Sequence, residues 1–169
     1  MSKNVVLIGF MGTGKTTIGK IIAQKINYDF IDTDRYIEEK FNISIKGIFE
    51  SYGEEYFREL EKRAIEEISS REFSVISTGG GVILNNDNII NLKEKGIIFL
   101  LNGSVETIVN NLSNSRNKRP LLSENNWTEK LVCLLEKRKN MYISSADYII
   151  DINDKSLNML AQEIINHFN

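Results

Sequence analysis

Eight consecutive residues constrain this chain more than any others. Gly9-Phe10-Met11-Gly12-Thr13-Gly14-Lys15-Thr16 fits the pattern G-x-x-x-x-G-K-[ST]. An apolar, strand-like run over residues 5–10 leads into it, and Ile18, Ile21, Ile22 and Ile26 follow it at helical spacing. Strand, glycine-rich turn, helix is the setting in which such a loop cradles phosphate. The glycines let the backbone curl until its N–H groups point at phosphate oxygens. The helix start adds the positive end of its dipole. Lys15 is expected to reach the β- and γ-phosphates of a nucleoside triphosphate, and Thr16 to ligate Mg²⁺. Gly12, Thr13, Gly14, Lys15, Thr16 and Thr17 are the candidate ATP-binding residues. The loop selects nucleotide and metal; it does not select the acceptor.

The rest of the chain continues in the same alternation. Four more short apolar runs, at 28–32, 73–77, 97–101 and 148–152, are rich in Ile, Val, Phe or Tyr and lack clean alternation. Such runs suit strands buried on both faces of a parallel sheet. Between them lie segments of helical spacing: Tyr56, Leu60, Ala64 and Ile68; Ile89, Leu92 and Lys95; Val105, Ile108, Val109 and Leu112; Leu131, Leu134, Leu135 and Arg138. A last one, Leu157, Leu160, Ala161, Ile164 and Ile165, follows Ser156 as N-cap. The pattern predicts an α/β sandwich about a parallel sheet, with ligands at the carboxyl ends of the strands. Two stretches break the alternation. Residues 34–57 read as two short helices inserted after the second strand. Residues 114–127 read as a polar loop, of the length that usually serves as a lid or stays disordered.

Composition narrows the function classes. The 169 residues suit one domain. No apolar run approaches the ~20 residues of a membrane helix. The N-terminal apolar run is too short for a signal peptide, so the cytoplasm is expected. A net charge of -2 argues against a nucleic-acid surface. Cys133 is the single cysteine, which excludes an internal disulfide. Its apolar neighbours predict a buried, inert thiol.

The second strand ends in Asp32-Thr33-Asp34, at the sheet edge where the phosphate loop lies. Residues two apart on an extended chain point the same way, so both carboxylates are expected to face the nucleotide. One can hold the Mg²⁺ shell; the other can accept a proton from an acceptor hydroxyl. Either can also cap the following helix.

Six elements in fixed order now resemble the shikimate kinase family. They are the phosphate loop; Asp32-Thr33-Asp34 running into Ile37-Glu38; Gly53-Glu54-x-x-Phe57-Arg58-x-x-Glu61; Ser77-Thr78-Gly79-Gly80-Gly81; Arg119-Pro120-Leu121-Leu122; and Arg138-x-x-x-Tyr142. The resemblance implies a P-loop kinase fold with a five-stranded parallel sheet ordered 2-3-1-4-5 and flanking helices. It also implies a substrate-binding insertion at about 34–60 and a lid at about 114–125 within one domain, 1–169. The implied activity is transfer of the γ-phosphoryl of ATP to the 3-hydroxyl of shikimate. Residue by residue, it implies that Asp34 contacts the reacting hydroxyl and Asp32, with Thr16, holds Mg²⁺. Arg58 and Arg138 grip the shikimate carboxylate, Gly79, Gly80 and Gly81 approach the substrate closely, and Arg119 swings in with the lid. Lys15, Asp34 and Arg119 are the implied catalytic set. Shikimate and ATP are the expected partners, with no nucleic acid or membrane, and a monomer is expected.

The residue chemistry agrees with those roles and leaves plainer ones open. Guanidinium forks match carboxylates bidentately, so two arginines in a kinase pocket suit an anionic acceptor. Arg58 also stands at ion-pair spacing from Glu54 and Glu61. Arg138 can complement a helix dipole near a C-terminus. Arg119 can belong to a solvated basic loop with Arg116 and Lys118, although Pro120 restricts it to extended backbone. Leu112 departs from the family, which often has an adenine-stacking arginine seven residues before the lid arginine; Arg116 is the candidate substitute. A gluconate kinase shares the scaffold, but Asp32-Thr33-Asp34 with Arg58 and the three glycines disfavours it.

Overall fold

The computed structural model describes residues 3–114 and 126–169. Five strands, β1 Asn4–Gly9, β2 Asp29–Asp32, β3 Ser74–Ser77, β4 Gly96–Asn102 and β5 Tyr148–Asp151, form one sheet in the order β2-β3-β1-β4-β5. Every pairing is parallel. Each strand falls on one of the expected runs, and the order is the expected one. The helices are α1 Lys15–Ile26, α2 Thr33–Phe41, α3 Ile45–Ser69, α4 Asn86–Lys95, α5 Val105–Asn114, α6 Trp127–Ser145 and α7 Leu157–Phe168. Ser156 caps α7, its hydroxyl accepting from the Met159 N–H. A 3₁₀ turn over Val82–Leu84, which the spacing of apolar residues did not predict, follows the three glycines.

The sheet divides the core into two layers. Along β1, Val6 and Ile8 join a cluster with residues of α2 to α6, while Val5 and Leu7 join Ile18 and Ile22 of α1 and Leu160, Ala161 and Ile164 of α7. β1, β3 and the middle of β4 are buried on both faces, as expected. β2 and β5 are not: three of the four residues of β5 are exposed. They are the two edge strands, where one flank of each ladder has no neighbour.

Three further expectations change. Tyr56 is 44% exposed, so the inward stripe of α3 is Phe57, Leu60, Ala64, Ile65 and Ile68. Residues 33–41 and 45–52 are the two expected helices, but the second continues into a longer one through a break at Gly53, whose φ of 83 and ψ of 175 are not helical. Cys133 is exposed. It lies two residues beyond buried Leu131, about 200° around α6, so its apolar neighbours turn inward and it turns outward. Among the described residues no helix is long and apolar enough to cross a membrane.

Candidate active site

β1 lies at the centre of the sheet, and its carboxyl end delivers the phosphate loop. Gly9, Gly12 and Gly14 have φ of 149, 78 and 86, values that L side chains rarely adopt. Gly14 is the N-cap of α1 and offers no side-chain cap, so the first N–H groups of the helix are left for a ligand. Thr13 is spent within the loop, its hydroxyl donating to Phe10 O at 2.8 Å. Lys15 is buried, and its ammonium donates to Gly9 O at 2.7 Å and Phe10 O at 2.8 Å. Thr16 and Thr17 are exposed at the helix start.

Asp32 and Asp34 are brought to this edge by different means than expected. Asp32 ends β2, but Asp34 lies in the first turn of α2, so a helical turn and not strand alternation sets their relative direction. Asp32 does two jobs at once. Its Oδ2 accepts from the Thr16 hydroxyl at 2.8 Å, and its Oδ1 accepts from the Arg35 N–H at 3.3 Å as the cap of α2. Capping and facing the phosphate loop are thus not alternatives. Between the two acids, buried Thr33 accepts from the Gly79 N–H at 3.0 Å and ties α2 to the glycine segment.

None of Gly79, Gly80 and Gly81 has a positive φ. Their reason is space. A Cβ on Gly79 would lie 2.7 Å from Asp34 Oδ1, and one on Gly81 would lie 2.3 Å from Arg58 Nη1. The segment is therefore a bare main-chain floor onto which the Asp34 carboxylate and the Arg58 guanidinium are pressed. Arg58 is held there by Glu61 at 2.9 Å and Glu54 at 3.0 Å. Its ion pairs, foreseen as a plainer role, orient it over the glycines. Arg138 comes to the same floor from α6, its Nη1 donating to Gly80 O at 3.3 Å. It sits inside α6, which runs on to Ser145, so it is not a C-terminal dipole cation. Arg58, Arg138 and Asp34 thus meet one three-residue segment from three helices.

Two residues stand out here beyond what residue chemistry suggested, Glu61 for its burial and Tyr142 for its bond. Glu61 is 1% exposed. Burial raises its pKa, against the pull of Arg58, while the two glutamates outweigh burial and raise that of Arg58. One oxygen, Oε1, has no hydrogen-bond partner among the described residues. A glutamate inside the apolar stripe of α3, three residues after an arginine, was the available signal. Tyr142, also buried, donates to Gly80 O beside Arg138. On the far side of the phosphate loop, Asn111 Nδ2 donates to Gly12 O at 2.8 Å, and Leu112 is 2% exposed against Gly12. Leu112 is consumed in bracing the loop and is not available to stack on a base. Arg116, Lys118, Arg119 and the stretch 115–125 lie outside the described residues.

The donor set suits a hard cation. Thr16 and Asp32 offer a hydroxyl and a carboxylate in contact, oxygen ligands only. Among the described residues no cluster of three or more His, Cys, Asp or Glu side chains forms a dedicated metal cage. Mg²⁺ in nucleotide sites is typically bound in this way, through one or two protein oxygens plus waters and phosphates.

Comparison with known proteins agrees with the geometry. The family model described as Shikimate kinase matches residues 11–169. The shikimate kinase of Caldanaerobacter subterraneus subsp. tengcongensis is 47% identical over 163 residues, covering 96% of this chain and 94% of the relative. The solved structure of shikimate kinase from Acinetobacter baumannii in complex with shikimate superposes with a TM-score of 0.92 at 38% identity, covering 99% of this chain and 93% of that one. Shikimate kinase from Bacteroides thetaiotaomicron gives 0.91 at 33% identity, with 99% of both chains covered.

Proposed function

The chain belongs to the shikimate kinase family, and on that premise we propose which of its residues perform the transfer. The enzyme moves the γ-phosphoryl of ATP to the 3-hydroxyl of shikimate, giving shikimate 3-phosphate and ADP, in the route to chorismate and the aromatic amino acids. The observation that carries the residue assignment is the convergence of Arg58 and Arg138 on Gly79-Gly80-Gly81. Two guanidinium groups over bare backbone make a seat for one carboxylate.

In this mechanism the phosphate loop and the N-terminus of α1 hold the ATP phosphates, and Lys15 moves from the loop carbonyls to the β- and γ-oxygens. Asp34 accepts the proton of the 3-hydroxyl as that oxygen attacks phosphorus. Glu61 holds the Arg58 fork in place. Thr16 and Asp32 would hold Mg²⁺, which would neutralise negative charge on the phosphates. Arg119 is assigned to the transferring phosphoryl on its motif alone. The same proposal includes one domain with a substrate-binding insertion at about 34–60 and a lid at about 114–125, acting as a cytoplasmic monomer. Elution of the purified chain at the mass of one copy checks the last point.

A coupled assay of ADP release with shikimate, quinate and gluconate tests the acceptor; turnover faster with gluconate than with shikimate would falsify the assignment. A charge-assisted hydrogen bond contributes ~1.5–3 kcal/mol, or about 10- to 150-fold. Arg58→Ala and Arg138→Ala should each raise the KM for shikimate by that order and leave the KM for ATP unchanged. Shikimate methyl ester should be a poor substrate of the wild type and respond little to either change. An ester turned over as well as the acid would show that the arginines do not hold a carboxylate.

Gly81→Ala offers a finer probe. Gly81 has φ -100 and ψ 1, open to any residue, so the variant should fold. Its Cβ must displace the Arg58 guanidinium, which lies 2.3 Å from that position and is pinned by Glu54 and Glu61. The KM for shikimate should rise about tenfold, the loss of one such bond, with the KM for ATP unchanged. An unaltered KM would mean that Arg58 binds the acceptor from another position.

A further inference from the structure

One main-chain oxygen serves two masters at the acceptor seat. Gly80 O accepts from Arg138 Nη1 at 3.3 Å and from the Tyr142 hydroxyl. Arg138 and Tyr142 are four residues apart on α6 and so share a face. The carbonyl has two lone pairs and can take both donors. The Arg138 bond is long for N–H···O, whose usual length is about 2.9–3.0 Å. Tyr142 is the better fixed of the two: it is 3% exposed, whereas Arg138 is half-buried at the pocket surface. The Tyr142 phenol is pushed up to about 12 by burial, against the pull of Arg138 and Arg58. Burial thus favours the protonated phenol, the form that donates to Gly80 O.

Arg138 has to do something else when the acceptor arrives. Its guanidinium must turn its donors to the carboxylate, and to the extent that it does so it leaves Gly80 O. Were Tyr142 not there, that movement would take from a half-buried carbonyl its side-chain donor among the described residues, which would oppose it. We propose that Tyr142 is a positioning residue whose hydroxyl holds the Gly80 carbonyl, so that Arg138 can leave it for the acceptor carboxylate without orphaning it. The proposal rests on the assignment of Arg138 to that carboxylate. Tyr142 touches neither substrate nor nucleotide in this role; it acts through Gly80 and Arg138. The other ionisable groups that face the phenol are Arg58 and Glu61, and neither has a bond to Gly80 O among the described residues.

The test is a double-mutant cycle on the full chain. Tyr142→Phe, Arg138→Ala and the double variant are compared with wild type by KM for shikimate, KM for ATP, kcat and melting temperature. Tyr142→Phe removes one oxygen and keeps the ring, so the packing of α6 is retained. Losing the hydroxyl leaves Arg138 as the only side-chain donor to Gly80 O among the described residues, and the KM for shikimate should rise about tenfold with the KM for ATP unchanged. In the Arg138→Ala background the same change should add less than twofold, because no arginine is left to be released. Shikimate methyl ester, which exerts little pull on Arg138, should show no effect of Tyr142→Phe. Three results overturn the proposal: no change in the KM for shikimate, an equal rise in both backgrounds, or a parallel rise in the KM for ATP. If Arg138→Ala itself leaves the KM for shikimate unchanged, the assignment of Arg138 fails first, and this proposal falls with it.

Discussion

Asp34→Asn should lower kcat by ~10²–10⁴-fold, the range for loss of a general base, and change the KM for ATP little. The side chain keeps its shape, so the packing against Gly79, where Oδ1 lies 2.7 Å from a would-be Cβ, is retained. What is lost is the ability to take the hydroxyl proton. The neighbouring acid offers the contrast. Asp32 bonds the Thr16 hydroxyl and caps α2, so Asp32→Asn should weaken nucleotide binding and stability more than it slows chemistry. Measuring kcat and both KM values for the two variants separates the roles. If Asp34→Asn collapses ATP affinity and spares kcat, the two acids have exchanged functions.

Lys15→Met should remove most phosphoryl transfer, by ~10²–10³-fold or more, the order seen when one preorganised donor to a developing charge is deleted. The side chain is no part of the two apolar clusters, but its ammonium closes the loop onto Gly9 O and Phe10 O. Two net hydrogen bonds contribute about 1–3 kcal/mol, so the variant should fold but melt several degrees lower. ATP or an unreactive analogue should also raise its melting temperature less than it raises that of the wild type. Single-turnover kinetics and thermal melts check both parts, and near-normal kcat would remove Lys15 from the mechanism.

How much was legible in advance follows from what kind of signal each feature carries. The phosphate loop is local: pattern, strand and helix lie within some 20 residues, and all three were found. Strand runs were legible because parallel strands are buried in continuous stretches. The exposure of β2 and β5 was not, because edge position belongs to sheet order and leaves no mark within a run. Cys133 was misjudged because apolar neighbours in sequence are not neighbours around a helix. Asp34 lies beside Gly79 at the expected edge of the sheet, but a helical turn and not strand alternation puts it there, since the start of α2 at Thr33 is a boundary that spacing does not fix. The three glycines signalled close approach, but not what approaches: Asp34 and Arg58 come from segments 20 to 45 residues away in sequence. Glu61 is legible as an ion-pair partner of Arg58 at i,i+3 spacing, but its burial is not, and the bond of Tyr142 to Gly80 O is not, since that partner is 62 residues away in sequence.

The bare floor of the acceptor seat bears on how such an enzyme is inhibited. An inhibitor that lies on Gly79-Gly80-Gly81 meets main chain at three successive positions, and main chain presents little that a codon change can alter. Any side chain added at Gly79 or Gly81 would strike Asp34 or Arg58 before it struck the inhibitor. Escape at those two positions would therefore reduce turnover of the natural substrate along with drug binding. Compounds that draw affinity from this floor should select resistance elsewhere, at positions whose side chains do not hold Asp34, Arg58 or Arg138 in place.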